Sequence, residues 1–284
     1  MFYNSADDWN NAAHKHVALF GMSGLGKTYL SNILRAQGDW FHYSVDYRIG
    51  TRYMGEHIVD NFKAEAMRNP FLAKLLRSDS IYIGSNITFE NLTPLSTYLG
   101  KPGDPAKGGI AFSQYRQRQR QHRVAEIAAM QDTVGFIERA QNIYNYSNFV
   151  CDTSGSMVEV VDPNNPDDPV LSNLAKHVLP VWIRGNDSYL DALVERFSKA
   201  PKPMYYQEDF LINAWGTYLK MRQIEPDQVD PDDFISWGYR QLLTHRLPRY
   251  GAIAPHWGVT VEADDVATVR TAEDFHQLIA RILG

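Results

Sequence analysis

Residues 21–28, GMSGLGKT, constrain the fold of this chain more than any other stretch of its sequence. They follow the apolar run HVALF at 16–20 and precede YLSNILRAQ, in which Leu30, Ile33 and Leu34 fall on one helical face. A strand, a glycine-rich turn and an amphipathic helix in this order form the first half of a strand–helix–strand unit. The stretch therefore favours a parallel sheet covered by helices.

The same residues fit the pattern G-x-x-x-x-G-K-[ST] in full. The glycines let backbone N–H groups converge on phosphate oxygens, and the following helix presents its positive end to the same anion. Lys27 can reach the terminal phosphates, and Thr28 offers a hydroxyl to Mg²⁺. We expect ATP with Mg²⁺, although the sequence does not distinguish ATP from GTP. The residues expected to bind the nucleotide here are Gly21, Met22, Ser23, Gly24, Leu25, Gly26, Lys27, Thr28 and Tyr29.

Further strands are predicted at 40–46, 147–156, 178–185 and 257–263, and helical patterns follow the last two. This alternation predicts a three-layer α/β sandwich with a five-stranded, mainly parallel sheet. Only residues 55–146 break the rhythm, and they include a long charged helix that starts near Gln114. We interpret residues 1–284 as a single domain that carries a helical insertion at about 55–146.

Two carboxylates are expected beyond the carboxyl ends of strands, where ligands collect in an open parallel sheet. Asp152 follows the strand NFVC, and we expect it to serve Mg²⁺ together with Thr28. Asp46 ends the second strand and is the candidate that orients or deprotonates an acceptor hydroxyl. Ser154 and Ser156, in DTSGS, either bind substrate or form a tight turn.

The chain resembles the shikimate kinase and gluconate kinase branch of P-loop kinases. In YSVDYRIGTRYMGEHIVDNF, Asp46, Ile49 and Gly55 match the second acid, the Ile and the Gly of that branch. The segment VWIRGNDSYLDALVERFSKAPKPMYY resembles its fourth strand, helix and arginine-bearing lid start, and RLPRYGAIAPHWGVTVEA resembles its Arg-x-x-x-Tyr helix and last strand. The chain departs from the branch at Ser44 and Gly50, where acids are expected, and no arginine clearly matches the one that grips shikimate.

The resemblance implies a P-loop NTPase fold with a lid, and an enzyme that transfers the γ-phosphate of ATP to an alcohol group. It implies Arg196 at the start of the lid as a catalytic residue beside Lys27 and Asp46, and Arg246 and Arg249 as nucleotide contacts. We expect a polar or anionic metabolite other than shikimate as the acceptor, because the insertion falls where the branch builds its acceptor pocket.

Two other functions stay open, namely a P-loop ATPase or nucleotide switch acting on a protein partner, and a kinase acting on a nucleotide or nucleic-acid end. The run QYRQRQRQHR bears on the second, because Arg116, Arg120 and Arg123 share one helical face while Arg118 points elsewhere. The run is either an anion clamp or a solvated helix face. Similarly, LGKPGDPAKGG either closes over substrate or is an exposed connector.

The composition excludes several classes of site. The net charge of −5 is unlike that of a protein that coats nucleic acid, and the single cysteine, Cys151, allows no intramolecular disulfide. The histidines, among them His42 and His245, show no metal-binding spacing, so we interpret each as structural or as a surface residue. No apolar run reaches the roughly 18 residues of a membrane span, and residues 1–16 are polar and acidic, so we expect a cytoplasmic protein without a membrane partner.

Overall fold

The structure is a computed structural model that describes residues 2–284. Its strands are β1 His16–Phe20, β2 Trp40–Ser44, β3 Asn148–Asp152, β4 Leu179–Arg184 and β5 Val259–Glu262. Its α-helices are α1 Ala6–Asn11, α2 Lys27–Ala36, α3 Val45–Arg48, α4 Gly55–Ala66, α5 Pro70–Arg77, α6 Thr93–Leu99, α7 Phe112–Gln131, α8 Thr133–Asn142, α9 Pro169–Ala175, α10 Asp187–Lys199, α11 Glu208–Arg222, α12 Pro231–Trp257, α13 Ala263–Val266 and α14 Ala272–Leu283.

The sheet has five strands in the order β2-β3-β1-β4-β5, and every neighbouring pair is parallel. All five predicted strands exist; β1 has its predicted bounds and the other four are shorter than predicted. The second strand stops at Ser44 because helix α3 begins at Val45, and the fifth starts at Val259 because helix α12 continues to Trp257. The third strand stops at Asp152, so DTSGS beyond its first residue is a loop.

Helices cover both faces of the sheet. Because successive side chains of a strand point to opposite faces, β2 shows both packings. Trp40 packs against Phe275 of α14, with ring centroids 6.2 Å apart, and Trp9 of α1 reaches the same ring at 6.4 Å. Phe41, on the other face, packs against Phe136 of α8 at 6.3 Å. The predicted three-layer α/β sandwich is therefore confirmed.

The strand order creates a crevice at the carboxyl ends of β1 and β3. These strands are neighbours, but the chain leaves β1 for β2 in one direction along the sheet and leaves β3 for β4 in the other. Because such crossovers are right-handed, the two connections lie on opposite faces of the sheet and separate at the strand ends. A point of this kind is where open α/β sheets bind ligands.

The chain divides into two compact units, each of which is built from separate stretches. The first unit holds the sheet and comprises residues 2–45, Glu126–Pro201 and Ser236–Gly284. The second unit is helical and comprises Asp46–Ala125 and Lys202–Ile235. The interpretation of the whole chain as one domain with an insertion at about 55–146 stays a prediction.

The glycine- and proline-rich stretch LGKPGDPAKGG is held by ion pairs and a backbone hydrogen bond within the second unit. Lys107 Nζ bonds Asp230 Oδ2 at 3.0 Å, and Lys101 pairs with Asp232. The backbone N–H of Asp104 donates to the carbonyl of Val229 at 2.8 Å. Both lysines of the stretch are therefore paired with acidic residues at the start of α12 or just before it.

None of the helices in the described part of the chain combines the length and the apolar character that crossing a bilayer requires.

Replacing Trp40 by alanine tests the packing between the sheet and α14. Trp40 is fully buried, so we expect Trp40→Ala to lower the free energy of unfolding by about 3–5 kcal/mol. Tyr82→Ala is the control, because Tyr82 is 92% exposed and its loss is expected to change the stability by less than about 0.5 kcal/mol. Urea denaturation measures both, and equal effects of the two substitutions would contradict this packing.

Candidate functional site

The loop after β1, which we call the phosphate loop after its expected ligand, turns at glycines with positive φ. It turns from Phe20 into α2 through Gly24 at φ 90° and Gly26 at φ 107°, in the left-handed region that favours glycine. Gly26 precedes α2, and no side chain caps the helix there. The first amides of α2 therefore lack a side-chain acceptor and can bind an anion. Met22 and Leu25 are buried, whereas Ser23 and Thr28 are exposed.

The loop meets β3 through a direct hydrogen bond. Thr28 Oγ1 donates to Asp152 Oδ2 at 2.7 Å. The sheet register brings Asp152 there, because it lies opposite Leu19 of β1 and Ser44 of β2. Burial raises the pKa of Asp152, while the charge of Lys27 and the hydrogen bond from Thr28 offset part of that rise. A hydroxyl and a carboxylate thus stand together at the crevice.

Lys27 is buried and folds back onto its own loop. Its Nζ donates to the carbonyls of Gly21 at 3.0 Å and Met22 at 3.2 Å. Because the positive charge lies within the turn, it also acts on the buried Asp152. Tyr29, in the first turn of α2, is half-exposed, and its hydroxyl donates to the carbonyl of Val269 at 2.8 Å.

Arg196 of α10 lies against the phosphate loop. A Cβ added at Gly24 would overlap Arg196 Nη2 and would lie 3.1 Å from Leu193 Cδ2. Gly24 is favoured by its backbone conformation, and the absence of a side chain there lets the guanidinium group of Arg196 approach closely. Of the three arginines implied by the resemblance, Arg196 is the one that lies beside Gly24, and its catalytic role stays a prediction.

Arg246 and Arg249 bond to the segment after β3. The fully buried Arg246 donates to Glu159 Oε1 at 2.8 Å and to the carbonyl of Gly155 at 2.9 Å. Arg249 donates to the carbonyls of Val158 and Val161. The contact of Arg246 and Arg249 with a nucleotide stays a prediction.

Asp46 lies in the first turn of α3, directly after β2, and it begins the second compact unit. Five residues of π-helix follow at Ile49–Tyr53. Such turns are rare in proteins, and those that occur are often found at functional sites. The assignment of Asp46 as the residue that activates an acceptor stays a prediction.

The sequence did not predict that His42 lies beside Asp152. This residue is buried on β2, and its Nε2 lies 3.9 Å from Asp152 Oδ2. Burial, with the positive charge of Arg35, lowers the pKa of His42 to about 4. His42 is therefore neutral at neutral pH and brings no charge to the carboxylate. His42 and Ser44 point to the same face of β2, because they are two residues apart, and Ser44 lies opposite Asp152.

A second missed feature is a buried acidic residue in the charged helix α7. Glu126 is fully buried and accepts hydrogen bonds from the hydroxyls of Ser154 and Ser156. Both serines are buried as well. The observed contacts agree with a turn whose serine hydroxyls bond to the protein itself. Substrate binding by Ser154 and Ser156 stays a prediction.

The arginines of the α7 run differ in their partners. Arg116 and Arg120 each donate to Glu208 Oε1 at 2.6 Å, whereas Arg118 turns to a carbonyl of α6, as expected. Hydrogen bonds from Arg120 and Arg116 lower the pKa of Glu208 to about 2. Arg123 is exposed. Nucleic-acid contact through Arg116, Arg120 and Arg123 stays a prediction, and part of their charge is already matched by Glu208.

The ligands available for a metal are few. Within residues 2–284, no group of three or more His, Cys, Asp or Glu side chains is placed to hold a metal ion. Magnesium bound to a nucleotide needs only one or two carboxylates, since phosphates and waters supply the other oxygens. The paired oxygens of Thr28 and Asp152 fit this kind of ion.

Comparison with known proteins adds little. No model of a known protein family matches the chain, and neither does any curated protein. Among solved structures the chain is similar to shikimate kinase from Bacteroides thetaiotaomicron, with 15% identity over 93% of this chain and 94% of that chain and a TM-score of 0.39. A likeness this weak says nothing about the activity of the chain.

The buried pair of Glu159 and Arg246 predicts a pH dependence of stability. Burial alone would raise the pKa of Glu159, but the charge of Arg246 and the hydrogen bonds from His245 and Arg246 lower it to about 2, from 4.5. A lowered pKa stabilises the fold above 4.5, and this contribution is lost as the pH falls toward 2. At neutral pH we expect Glu159→Gln to cost about 3 kcal/mol, because it leaves a buried arginine without its partner.

Urea midpoints measured between about pH 7 and pH 2 for the wild type and Glu159→Gln check this expectation. The difference between the two proteins should be constant down to about pH 5 and should shrink below it. A difference that stays the same throughout this range would contradict the assigned charge pair.

Proposed function

We propose that the chain is an ATP- and Mg²⁺-dependent kinase that transfers the γ-phosphate to a hydroxyl of a polar or anionic metabolite. The observation that carries the proposal is the 2.7 Å hydrogen bond between Thr28 Oγ1 and Asp152 Oδ2 at the crevice of the sheet. It joins a phosphate-loop motif to a carboxylate at the end of the neighbouring strand. Triphosphate binding needs both parts, one for the phosphate oxygens and one for the metal.

The phosphate loop supplies the anion-binding groups. Backbone amides of residues 21–26 and of the first turn of α2 would surround the β- and γ-phosphates. Lys27 would exchange its bonds to Gly21 and Met22 for phosphate oxygens, which carry a full charge and accept more strongly. Thr28 and Asp152 would hold Mg²⁺, which neutralises developing charge when bound.

Arg196 would stabilise the transferring group. Its guanidinium group already lies at Gly24, the middle of the phosphate loop. A planar guanidinium group can donate to two phosphate oxygens at once, and such donors are worth most where charge spreads in the transition state. The approach of Arg196 to the loop supports phosphoryl transfer, to a hydroxyl or to water, because simple nucleotide binding does not need this donor.

Asp46 would receive the proton of the acceptor. As the acceptor oxygen bonds to the γ-phosphorus, the bond from that phosphorus to the β–γ bridging oxygen breaks and ADP leaves. The hydroxyl proton passes to the carboxylate of Asp46, which follows β2 at the carboxyl edge of the sheet.

Replacing Lys27 by alanine tests nucleotide use. We expect Lys27→Ala to reduce nucleotide-dependent ADP release at least about 100-fold, because the loop loses its charge on the terminal phosphates. The matched control is Lys176→Ala, at an exposed lysine of the first unit. Normal turnover by Lys27→Ala, or an equal loss in the control, would contradict the assignment.

Replacing Asp46 by asparagine tests the transfer step. We expect Asp46→Asn to bind ATP normally and to lose about 100-fold or more in kcat, because the amide cannot accept the proton. The assay measures ADP release with and without a panel of hydroxyl-bearing metabolites, and Asp60→Asn, at an exposed ion pair of the second unit, is the control. Full turnover in Asp46→Asn would make the base assignment wrong. ADP release that no metabolite stimulates would favour an ATPase.

A further inference from the structure

We call residues 153–156, which follow β3, the β3 loop. Hydrogen bonds to its backbone and from it hold the loop in place. The hydroxyl and backbone N–H of Thr153 both donate to the carbonyl of Leu19, at 2.9 and 3.1 Å. The carbonyl of Gly155 accepts from Arg246 Nη1 at 2.9 Å and from the hydroxyl of Tyr250 at 2.6 Å. All of these partners belong to the first compact unit.

Glu126 fastens the other two residues of the β3 loop. Ser154 Oγ donates to Glu126 Oε1, and Ser156 Oγ lies 2.9 and 3.0 Å from the two carboxylate oxygens. Hydrogen bonds to a buried carboxylate are about twice as strong as bonds between neutral groups. Glu126 itself is fully buried, so these bonds replace the water that the carboxylate has lost.

The β3 loop is in contact with the phosphate loop. A Cβ added at Gly155 would lie 3.3 Å from both the Cβ and the backbone nitrogen of Ser23. The backbone of Gly155 therefore packs against Ser23, one of the residues whose amides are expected to bind phosphate. Close-packed contacts of this kind transmit a displacement of one loop to the other.

We infer that Glu126 is a positioning residue, which holds the β3 loop against the phosphate loop and so fixes the amide of Ser23. Glu126 acts through Ser154 and Ser156 and touches no substrate. Its effect on nucleotide affinity rests on the proposed function, whereas its effect on the order of the phosphate loop does not. An acidic residue that follows the basic run in α7 thereby serves the site at the end of β3.

Glu126→Gln is the direct test. The substitution keeps the shape of the side chain but replaces one acceptor oxygen by an NH₂ donor. This donor faces the hydroxyls of Ser154 and Ser156, which in the wild-type protein donate to Glu126. We expect amide hydrogen exchange of residues 21–28, without nucleotide, to become about tenfold faster, and the Kd of MgADP to rise about tenfold, as for one lost charge-assisted hydrogen bond. Exchange is followed by mass spectrometry and affinity by calorimetry.

Asp168→Asn is the matched control for a general loss of stability. Asp168 is a buried acid of the same unit, and it accepts from the amides of Val170 and Leu171 at the start of α9 and from that of Asp162. Its replacement removes a charge and weakens hydrogen bonds to the carboxylate. We expect Asp168→Asn to lower the stability while leaving exchange in residues 21–28 and MgADP affinity unchanged.

Ser156→Ala keeps the inference testable if Glu126→Gln does not fold, because it removes only one donor to the carboxylate. Faster exchange in residues 21–28 in either variant, with no change in Asp168→Asn, supports the inference. Unchanged exchange in Glu126→Gln and Ser156→Ala overturns it, as does an equal increase in the control. A wild-type protein that binds no MgADP contradicts the proposed function, and hydrogen exchange still decides the role of Glu126.

Discussion

The hydrogen bond from Thr28 to Asp152 is the interaction on which the rest of the site depends. It exists because β1 and β3 are parallel neighbours, so that the helix after one strand starts beside the carboxylate that ends the other. Burial makes the charged form of Asp152 costly, and the hydroxyl of Thr28 and the charge of Lys27 offset part of that cost. The position of the phosphate loop and the ionisation of this carboxylate are therefore coupled.

Buried charged residues bond to the β3 loop at the same edge of the sheet. Glu126 and Glu159 are two buried carboxylates, and the buried Arg246 bonds to Glu159 and to the carbonyl of Gly155. Buried ion pairs are a weak source of stability, because desolvation cancels much of their attraction. Their value here lies in geometry, since Glu126 and Arg246 bond to the β3 loop and Glu159 bonds to Arg246.

Much of the fold and part of the site could be predicted from the sequence, because they depend on local patterns. The apolar run before GMSGLGKT gave β1 with its observed bounds, His16–Phe20, and the acid after NFVC gave Asp152. The burial of Glu126 could not be predicted, because an acidic residue in a helix is usually exposed and only tertiary packing buries this one. The same holds for Arg246 and His42, whose surroundings are set by β3 and its loop, distant in sequence.

The most direct measurement is calorimetric titration of the intact folded protein with ATP in the presence and absence of Mg²⁺. A phosphate loop joined to a carboxylate predicts saturable binding at a single site, and tighter binding when the metal is present. A folded protein that takes up no purine nucleoside triphosphate with magnesium would contradict this account at its centre.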